Sequence, residues 1–317
     1  AGRDLYDLTD PNRPGTGNVY LGIPCDPTDI FSCSARLNTQ YSNLNTRGNL
    51  GFSNYNGLTL GYESPFLENI GLQLTARYTW SHAIDNLSST FSDSLNNSNL
   101  GLLDPFNPEL DRGDADFDIR HRFVSSFVWN VPAYKSQEGL LGKVLGGWSI
   151  NGIFSAHTGT PFTVFDCTNA VFAVCPRASL TGQQESRGSD NPAADPSTPN
   201  LFQYLPITGL TPGFFLNPNT GNSEFGPFPT NMTGRNAFRA PGFWNVDAGI
   251  YKNFRISESK SLQLRGEFFN IFNHSNLYIV PTQTDISAQT FIPAVRGLRQ
   301  DGTQDRRNVQ LALKFIF

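Results

Sequence analysis

The sequence predicts an all-β chain, a segment of a transmembrane antiparallel β-barrel whose seven strands are joined by links that alternate short and long. Three observations lead there. The chain closes on DRRNVQLALKFIF, where Val309, Leu311, Leu313, Phe315 and Phe317 alternate with Asn308, Gln310, Ala312 and Lys314. That is the period-two pattern of a strand with one apolar and one polar face. The composition, with 26 Phe, 29 Gly, 21 Pro, 1 Met and 16% charged residues, suits strands and long loops better than helices. Finally, every long link falls at the same end of the strands.

Composition also excludes classes. Mean hydropathy is −0.32, and no stretch approaches the roughly 18–20 apolar residues that a membrane helix needs. A membrane would therefore be crossed by strands. A chain of 317 residues holds one large β domain or two ordinary ones. The net charge of −4 offers no basic footprint and argues against nucleic acid as a partner. The N-terminus, AGRDLYDLTD, lacks the charged start and apolar run of a signal peptide, so an exported precursor is expected to carry residues upstream.

Taken in order, Leu58, Leu60 and Tyr62 alternate with Thr59, Gly61 and Glu63, predicting a first strand near 54–64. After the SPFLEN turn, Leu72, Leu74, Ala76, Tyr78 and Trp80 alternate with Gln73, Thr75, Arg77, Thr79 and Ser81. A third strand near 117–131 sets Phe123, Phe127, Trp129 and Val131 opposite Arg120, Arg122, Ser126 and Asn130. The fourth sets Trp148, Ile150, Gly152 and Phe154 opposite Ser149, Asn151, Ser155 and His157. The fifth has Trp244, Val246, Ala248 and Ile250 against Asn245, Asp247 and Asn253, and the sixth Leu262, Leu264 and Phe268 against Gln263, Arg265 and Glu267. The C-terminal strand is the seventh.

Alternation alone fits a soluble sandwich as well as a lipid-facing barrel. The links separate the two. If Phe317 ends on the periplasmic side, the links near 85–116, 159–242 and 273–304 all fall outside, and residues 1–53 form a further extracellular loop region ahead of the barrel strands of 54–317. Short periplasmic turns and long outer loops are the asymmetry of outer-membrane barrels. Trp80 and Trp244 fall near strand ends, where interfacial aromatic girdles are expected. Seven is an odd number, and an open sheet edge is not tolerated in lipid, so the chain is expected to be incomplete as a barrel.

The strings FSNYNGLTLGYE (52–63), LQLTARYTWSHAIDN (72–86), DRGDADFDIRHRFVSSFVWNVP (111–132), GGWSINGIFSAHTGTPFTV (146–164), GRNAFRAPGFWNVDAGIYKNFRI (234–256), LQLRGEFFNIFNHSN (262–276) and VQLALKFIF resemble, in that order, the end of TonB-dependent outer-membrane receptors. The nearest branch is the Oar-like receptors with an N-terminal carboxypeptidase-regulatory-like domain. The apolar residues Val309, Leu311, Leu313, Phe315 and Phe317 likewise resemble the C-terminal signal by which outer-membrane barrels are recognised for assembly. The resemblance implies a 22-stranded barrel with a plug, of which about two-thirds of the strands, the plug and the TonB box lie outside this sequence. Residues 1–14 resemble the top of an upward strand in the middle of such a barrel. The resemblance further implies import of a large or scarce nutrient, an oligosaccharide, peptide or metal chelate. Implied partners are membrane lipid, the remaining strands and plug, TonB through that plug, and an extracellular ligand. The alternatives are a surface-structural or adhesive protein anchored by its barrel, and a passive porin-like channel.

Chemistry motifs are scarce, and neither a catalytic residue, a metal ligand nor a cofactor is assigned. Cys25 with Cys33 and Cys167 with Cys175 are two local pairs, which favour disulfide-closed loops over free thiols in an oxidising compartment. Asp111, Asp114, Asp116 and Asp118 lack the glycine turn and terminal glutamate of an EF-hand. Asp114, Asp116 and Asp118 share strand parity with Arg120 and Arg122, so the five are read as a charge ladder facing a lumen. His121 beside Asp118 suggests a triad fragment, but adjacent strand positions face opposite ways and no G-x-S-x-G elbow is present. The segment 159–242 is the best candidate for outside contacts. Its aromatics Phe202, Tyr204, Phe214, Phe215, Phe225 and Phe228 either meet a ligand or pack the loop onto itself.

Overall fold

The structure is a computed structural model. It describes residues 7–9, 11–12, 15–24, 26, 29, 32, 34–42, 44, 46–88, 102–104, 106–165, 177–180, 194–195, 198–204, 210–211, 231–257, 259–279, 284–286, 293–296 and 306–317. Seven long strands build one antiparallel sheet: β1 (Ser53–Glu63), β2 (Leu72–Asp85), β3 (His121–Asn130), β4 (Trp148–His157), β5 (Phe243–Arg255), β6 (Ser261–Phe269) and β7 (Asn308–Ile316). Each pairs with its neighbours in the chain, so the sheet is a meander that begins at β1 and ends at β7. Strands of 9 to 11 residues, such as β1, β3, β4, β6 and β7, match the length of a tilted membrane strand. β2 and β5, at 14 and 13 residues, are longer.

The register explains why the sequence alternates as it does. Gln73 lies opposite Val128, Val128 opposite Asn151, Asn151 opposite Gly249, Gly249 opposite Glu267, and Glu267 opposite Gln310. Directly opposed residues share a face, so this row, together with Thr59, Thr79 and Arg122, which are opposed in turn, makes one polar wall across the sheet. The other wall is apolar: Leu72, Trp129, Ile150, Ile250, Gly266 and Leu311 form a single cross-strand row. A slip of one residue at any strand would exchange the faces, so the alternation itself specifies the register.

The apolar wall is not a buried core. Leu58, Leu60, Phe127, Trp129, Ile250, Leu264, Leu311 and Leu313 are all exposed, a contiguous patch that water does not tolerate and lipid does. No helix among the described residues is long and apolar enough to cross a membrane. The short turns gather at one end. Gly71, at φ +69°, closes the β1–β2 turn, and a Cβ there would stand 1.9 Å from the Asn130 carbonyl oxygen. The Asn130 amide donates to the Gly71 carbonyl at 2.7 Å, so the backbone of the turn is sewn directly to β3. Among the described residues two short α-helices lie outside the sheet, α1 (Thr16–Leu21) and α2 (Gly139–Leu145), the second in the β3–β4 link.

At the opposite end the long links fold on one another. Pro161–Phe162 pairs with Phe238–Arg239, and Ser179–Leu180 with Leu210–Thr211. Ala194–Asp195, Thr198–Gln203, Pro293–Arg296 and Leu277–Ile279 make a four-stranded sheet from two different links. This cap holds the buried apolar cluster of Phe162, Val164, Ala178, Tyr204, Phe238, Ile279 and Ile286. Asp7–Thr9 pairs antiparallel with Thr46–Gly48, which brings the first residues beside the chain leading into β1.

One boundary differs from expectation. β3 starts at His121 rather than near 117; Gly113–Asp114 is a separate two-residue strand paired with Ile84–Asp85 at the end of β2, and Ala115 to Arg120 lead into β3 through a turn and irregular backbone. The alternation of aspartates there is not strand periodicity but the demand of the partners described next.

Candidate functional site

Two places gather polar side chains: the junction between sheet and cap, and the polar wall. At the junction, the expected lumen ladder of Asp114, Asp116, Asp118, Arg120 and Arg122 is replaced by a buried charge network. Of the five, Arg122 lies on a long strand with its side chain on the polar wall, Asp114 lies on the short strand paired with the end of β2, and the other three lie on no strand. Asp118 accepts from the Ala83 amide at 2.7 Å with one oxygen and from Arg239 at 2.6 Å with the other. Asp114 meets His82 at 2.8 Å, Arg120 at 3.1 Å and also Arg239. Asp116 accepts from Arg235 at 3.2 Å and from the Asn236 amide group at 2.6 Å.

Arg235 is the hub. Its guanidinium is 4% exposed and donates to the Asp111 carbonyl at 2.7 Å, the Asp85 carbonyl at 2.9 Å and the carboxylates of Asp85 and Asp116. Arg177 sits beside it, donating to Asp111 at 2.6 Å, to the Thr233 carbonyl at 2.8 Å and to the Leu110 carbonyl at 2.9 Å. Burial pulls the Arg177 guanidinium below its ordinary value, and the adjacent Asp111 carboxylate opposes that pull. The planar fork of five donors is what allows one arginine to satisfy carbonyls and carboxylates from three segments at once. The network therefore ties the 159–242 link to the end of β2 and to the link after it. Sequence reading missed Arg177, Arg235 and Arg239. The available signal was Arg235 and Arg239 spaced four apart in GRNAFRAPGF, with no local acid to pair them, facing a run of aspartates with too few local cations.

His121 and Asp118 do not act together. His121 shares a 2.7 Å hydrogen bond with the Tyr78 hydroxyl, while Asp118 is held by Ala83 and Arg239. Of the two readings open for Tyr204, packing of the loop onto itself is the one found. Tyr204 is 1% exposed, packs in the cap cluster and donates its hydroxyl to the Arg239 carbonyl at 3.0 Å. The side chain of Phe202, and Phe214, Phe215, Phe225 and Phe228 altogether, lie outside the described residues. So do Cys25, Cys33, Cys167 and Cys175.

On the polar wall, hydroxyls, amides and carboxylates are linked across strands. The Tyr251 hydroxyl donates to Glu267 at 3.0 Å and accepts from Asn151 at 3.4 Å. Gly249 leaves the space they need: a Cβ there would stand 2.3 Å from the Asn151 amide oxygen and 2.7 Å from the Tyr251 hydroxyl. A cavity of about 330 Å³ opens here, with Asn151, Asp247, Tyr251 and Glu267 as its polar lining. A second, of about 250 Å³, lies under the cap between Tyr55, Thr79, Ser81, Phe117, Asp118 and Arg122. Such a wall solvates polar solutes by hydrogen bonds and carries no assembled nucleophile and base among the described residues. No group of three or more His, Cys, Asp or Glu among those residues is arranged to hold a metal ion.

The terminal residues Val309, Leu311, Leu313, Phe315 and Phe317 all project from the apolar wall, Leu311 and Phe317 being 81% and 89% exposed. A model of the family described as "Outer membrane beta barrel domain" matches residues 1–310. Among solved structures, the outer membrane transporter YddB from Escherichia coli is similar at a TM-score of 0.46 and 7% identity. That match covers 99% of this chain and 29% of the transporter, so the chain spans less than a third of its length. No curated protein matches the chain.

Proposed function

The chain belongs to the outer membrane beta barrel domain family, and from that premise we propose that it is the C-terminal part of a TonB-dependent receptor of the Oar-like branch, importing a large or scarce nutrient. The observation that supports this best is the polar face shared by all seven strands of a sheet open at both edges. A wall of that kind belongs to a wide barrel, and barrels of about 22 strands have a lumen that must be plugged. Arg77 and Arg122 project from this face without an ion pair among the described residues, as groups that await acidic partners on a plug would.

In this reading the short turns face the periplasm and the long links face outside. The cap offers the surface that captures an oligosaccharide, peptide or metal chelate. TonB, energised at the inner membrane, acts through the plug, and the solute passes along hydrogen-bonding groups such as Asn151, Tyr251 and Glu267. No bond of the solute is made or broken, so the protein is not an enzyme and needs no cofactor. The internally packed cap also favours a second reading, an adhesive surface protein with the barrel as anchor.

Uptake of labelled oligosaccharides, peptides and metal chelates by cells producing the complete gene product separates these readings. Active import predicts uptake that falls to background when the inner-membrane proton gradient is collapsed. Uptake that persists indicates a passive pore. Failure of every solute to enter, with loss of cell attachment on deletion, indicates an adhesin.

A further inference from the structure

We propose that helix α2, Gly139–Leu145, is a lipid-anchoring element that lies in the membrane interface at the short-turn end of the barrel, with its apolar face among phospholipid acyl chains. The helix is amphipathic in the inverse sense of a soluble protein. Leu140, Leu141, Val144 and Leu145 occupy one arc of the helix and are 81%, 66%, 54% and 45% exposed. Gly142, on the opposite arc, is the buried residue, and a Cβ there would stand 2.8 Å from the Gln137 backbone. The small residue thus packs on the protein and the large apolar ones point away from it, an arrangement that is favourable only against an apolar medium.

Two side chains of the apolar wall decide where the helix lies. The Trp148 indole N–H donates to the Val144 carbonyl at 2.9 Å. The Lys252 ammonium donates to the Gly146 carbonyl and stands 5.3 Å from the Trp148 ring centre. Trp148 and Lys252 are opposed in register, two residues along β4 and β5 from Ile150 and Ile250 and therefore on the same face. The end of the helix is therefore pinned beneath the lipid-facing wall rather than beneath the lumen.

The occupant follows from that continuity. Trp129, on the same wall, donates its indole N–H to the Ile70 carbonyl of the neighbouring turn at 3.0 Å, so both tryptophans stand where wall meets link. That is the interfacial position of tryptophan, ring in the acyl region and N–H toward polar groups. The helix extends this boundary sideways with four apolar residues, while Lys143, exposed on the remaining arc, has the reach to place its ammonium among headgroup phosphates. Contact with lipid depends on the apolar wall alone. Only the naming of the leaflet as periplasmic rests on the orientation proposed above.

The test uses the assembled protein, with the strands that complete its sheet, in vesicles of phosphatidylethanolamine and phosphatidylglycerol that contain a phospholipid with a photoactivatable diazirine in its acyl chain. After irradiation and proteolysis, lipid adducts are mapped by mass spectrometry. The expected result is labelling of residues 139–148 within about two-fold of the β6 wall peptide, falling at least about ten-fold in the double variant Leu141→Asp, Leu145→Asp while the wall remains labelled. Labelling of the wall with residues 139–148 bare overturns the proposal, as does a protein–protein crosslink in their place. Absence of labelling on the wall as well overturns the lipid-facing wall and the proposal with it.

Discussion

Arg235 shows how much of this molecule depends on single side chains. Its guanidinium is buried against Asp85 and Asp116, and removing one partner of a buried, hydrogen-bonded pair leaves the other charges without compensation. Arg235→Ala is therefore expected to destabilise the cap by about 3–5 kcal/mol, whereas Arg77→Ala, at an exposed position of the polar wall, is expected to cost under about 0.5 kcal/mol. Thermal melting in detergent, read by near-ultraviolet circular dichroism and by protease cleavage in 159–242, checks the contrast. Equal melting of both variants would show that the network holds nothing in place. Tyr204→Phe, which removes only the hydrogen bond to the Arg239 carbonyl, is expected to cost about 1 kcal/mol in the same assay. None of these partnerships was legible in the sequence. Arg235 and the Asp111 carbonyl are 124 residues apart, and no local periodicity reports a contact at that separation. The same blindness produced the ladder reading, because Asp114, Asp116 and Asp118 alternate like strand residues while answering to Arg235 and Arg239.

The strands, by contrast, were legible, because each was written twice: once as alternation within itself and once as a face that had to match its neighbours. Leu264 lies opposite Leu313, and Gln263 opposite Lys314. Leu264→Arg or Leu311→Arg is expected to destabilise the folded barrel by about 2–4 kcal/mol near the bilayer midplane. Gln263→Glu, with Lys314 directly opposite, and Gln310→Lys, with Glu267 directly opposite, are expected to be tolerated on the polar wall. Urea unfolding in lipid vesicles measures both sets, and equal sensitivity would mean that the apolar wall faces protein instead of lipid. The exception was the start of β3, where Phe117 continues the apolar pattern but stands exposed in a turn, 65% open. The links were legible in length and polarity and not in shape, since their short strands pair across different segments of the chain. For the cysteines, spacing remains the guide. Cys25 is expected to pair with Cys33 and Cys167 with Cys175, each closing a short loop at modest entropic cost. Peptide mapping without reductant checks this, and free thiols or a Cys25–Cys175 crosslink would contradict it.

The whole molecule poses a question that no single strand answers, namely what lies along its edges. β1 is exposed at every residue and β7 likewise, whereas β2, β4, β5 and β6, paired on both sides, are mostly half-buried. Self-closure does not solve this. In a meander of seven strands the first and last run the same way: β1 descends from the cap end at Ser53 to the turn end at Glu63, and β7 from Asn308 to Ile316. They would meet as a parallel pair, at odds with the antiparallel ladder everywhere else in the sheet. Leaving both edges open is no better, since each backbone polar group unpaired in hydrocarbon costs several kcal/mol and side chains along the edge offset little of it. Each edge is therefore expected to pair with a further antiparallel strand, supplied by additional sequence of the same polypeptide or by a separate chain. The pairing of Asp7–Thr9 with Thr46–Gly48 marks where such a strand meets the β1 side, because an upward strand ending there would run directly alongside Ser53–Glu63. Mass spectrometry of the undenatured assembly, extracted from membranes in mild detergent, decides the matter. A mass well above the chain's 35.0 kDa is expected, with the additional strands crosslinking to both β1 and β7. A folded species of that mass alone, with β1 crosslinking to β7, would show that the sheet closes on itself.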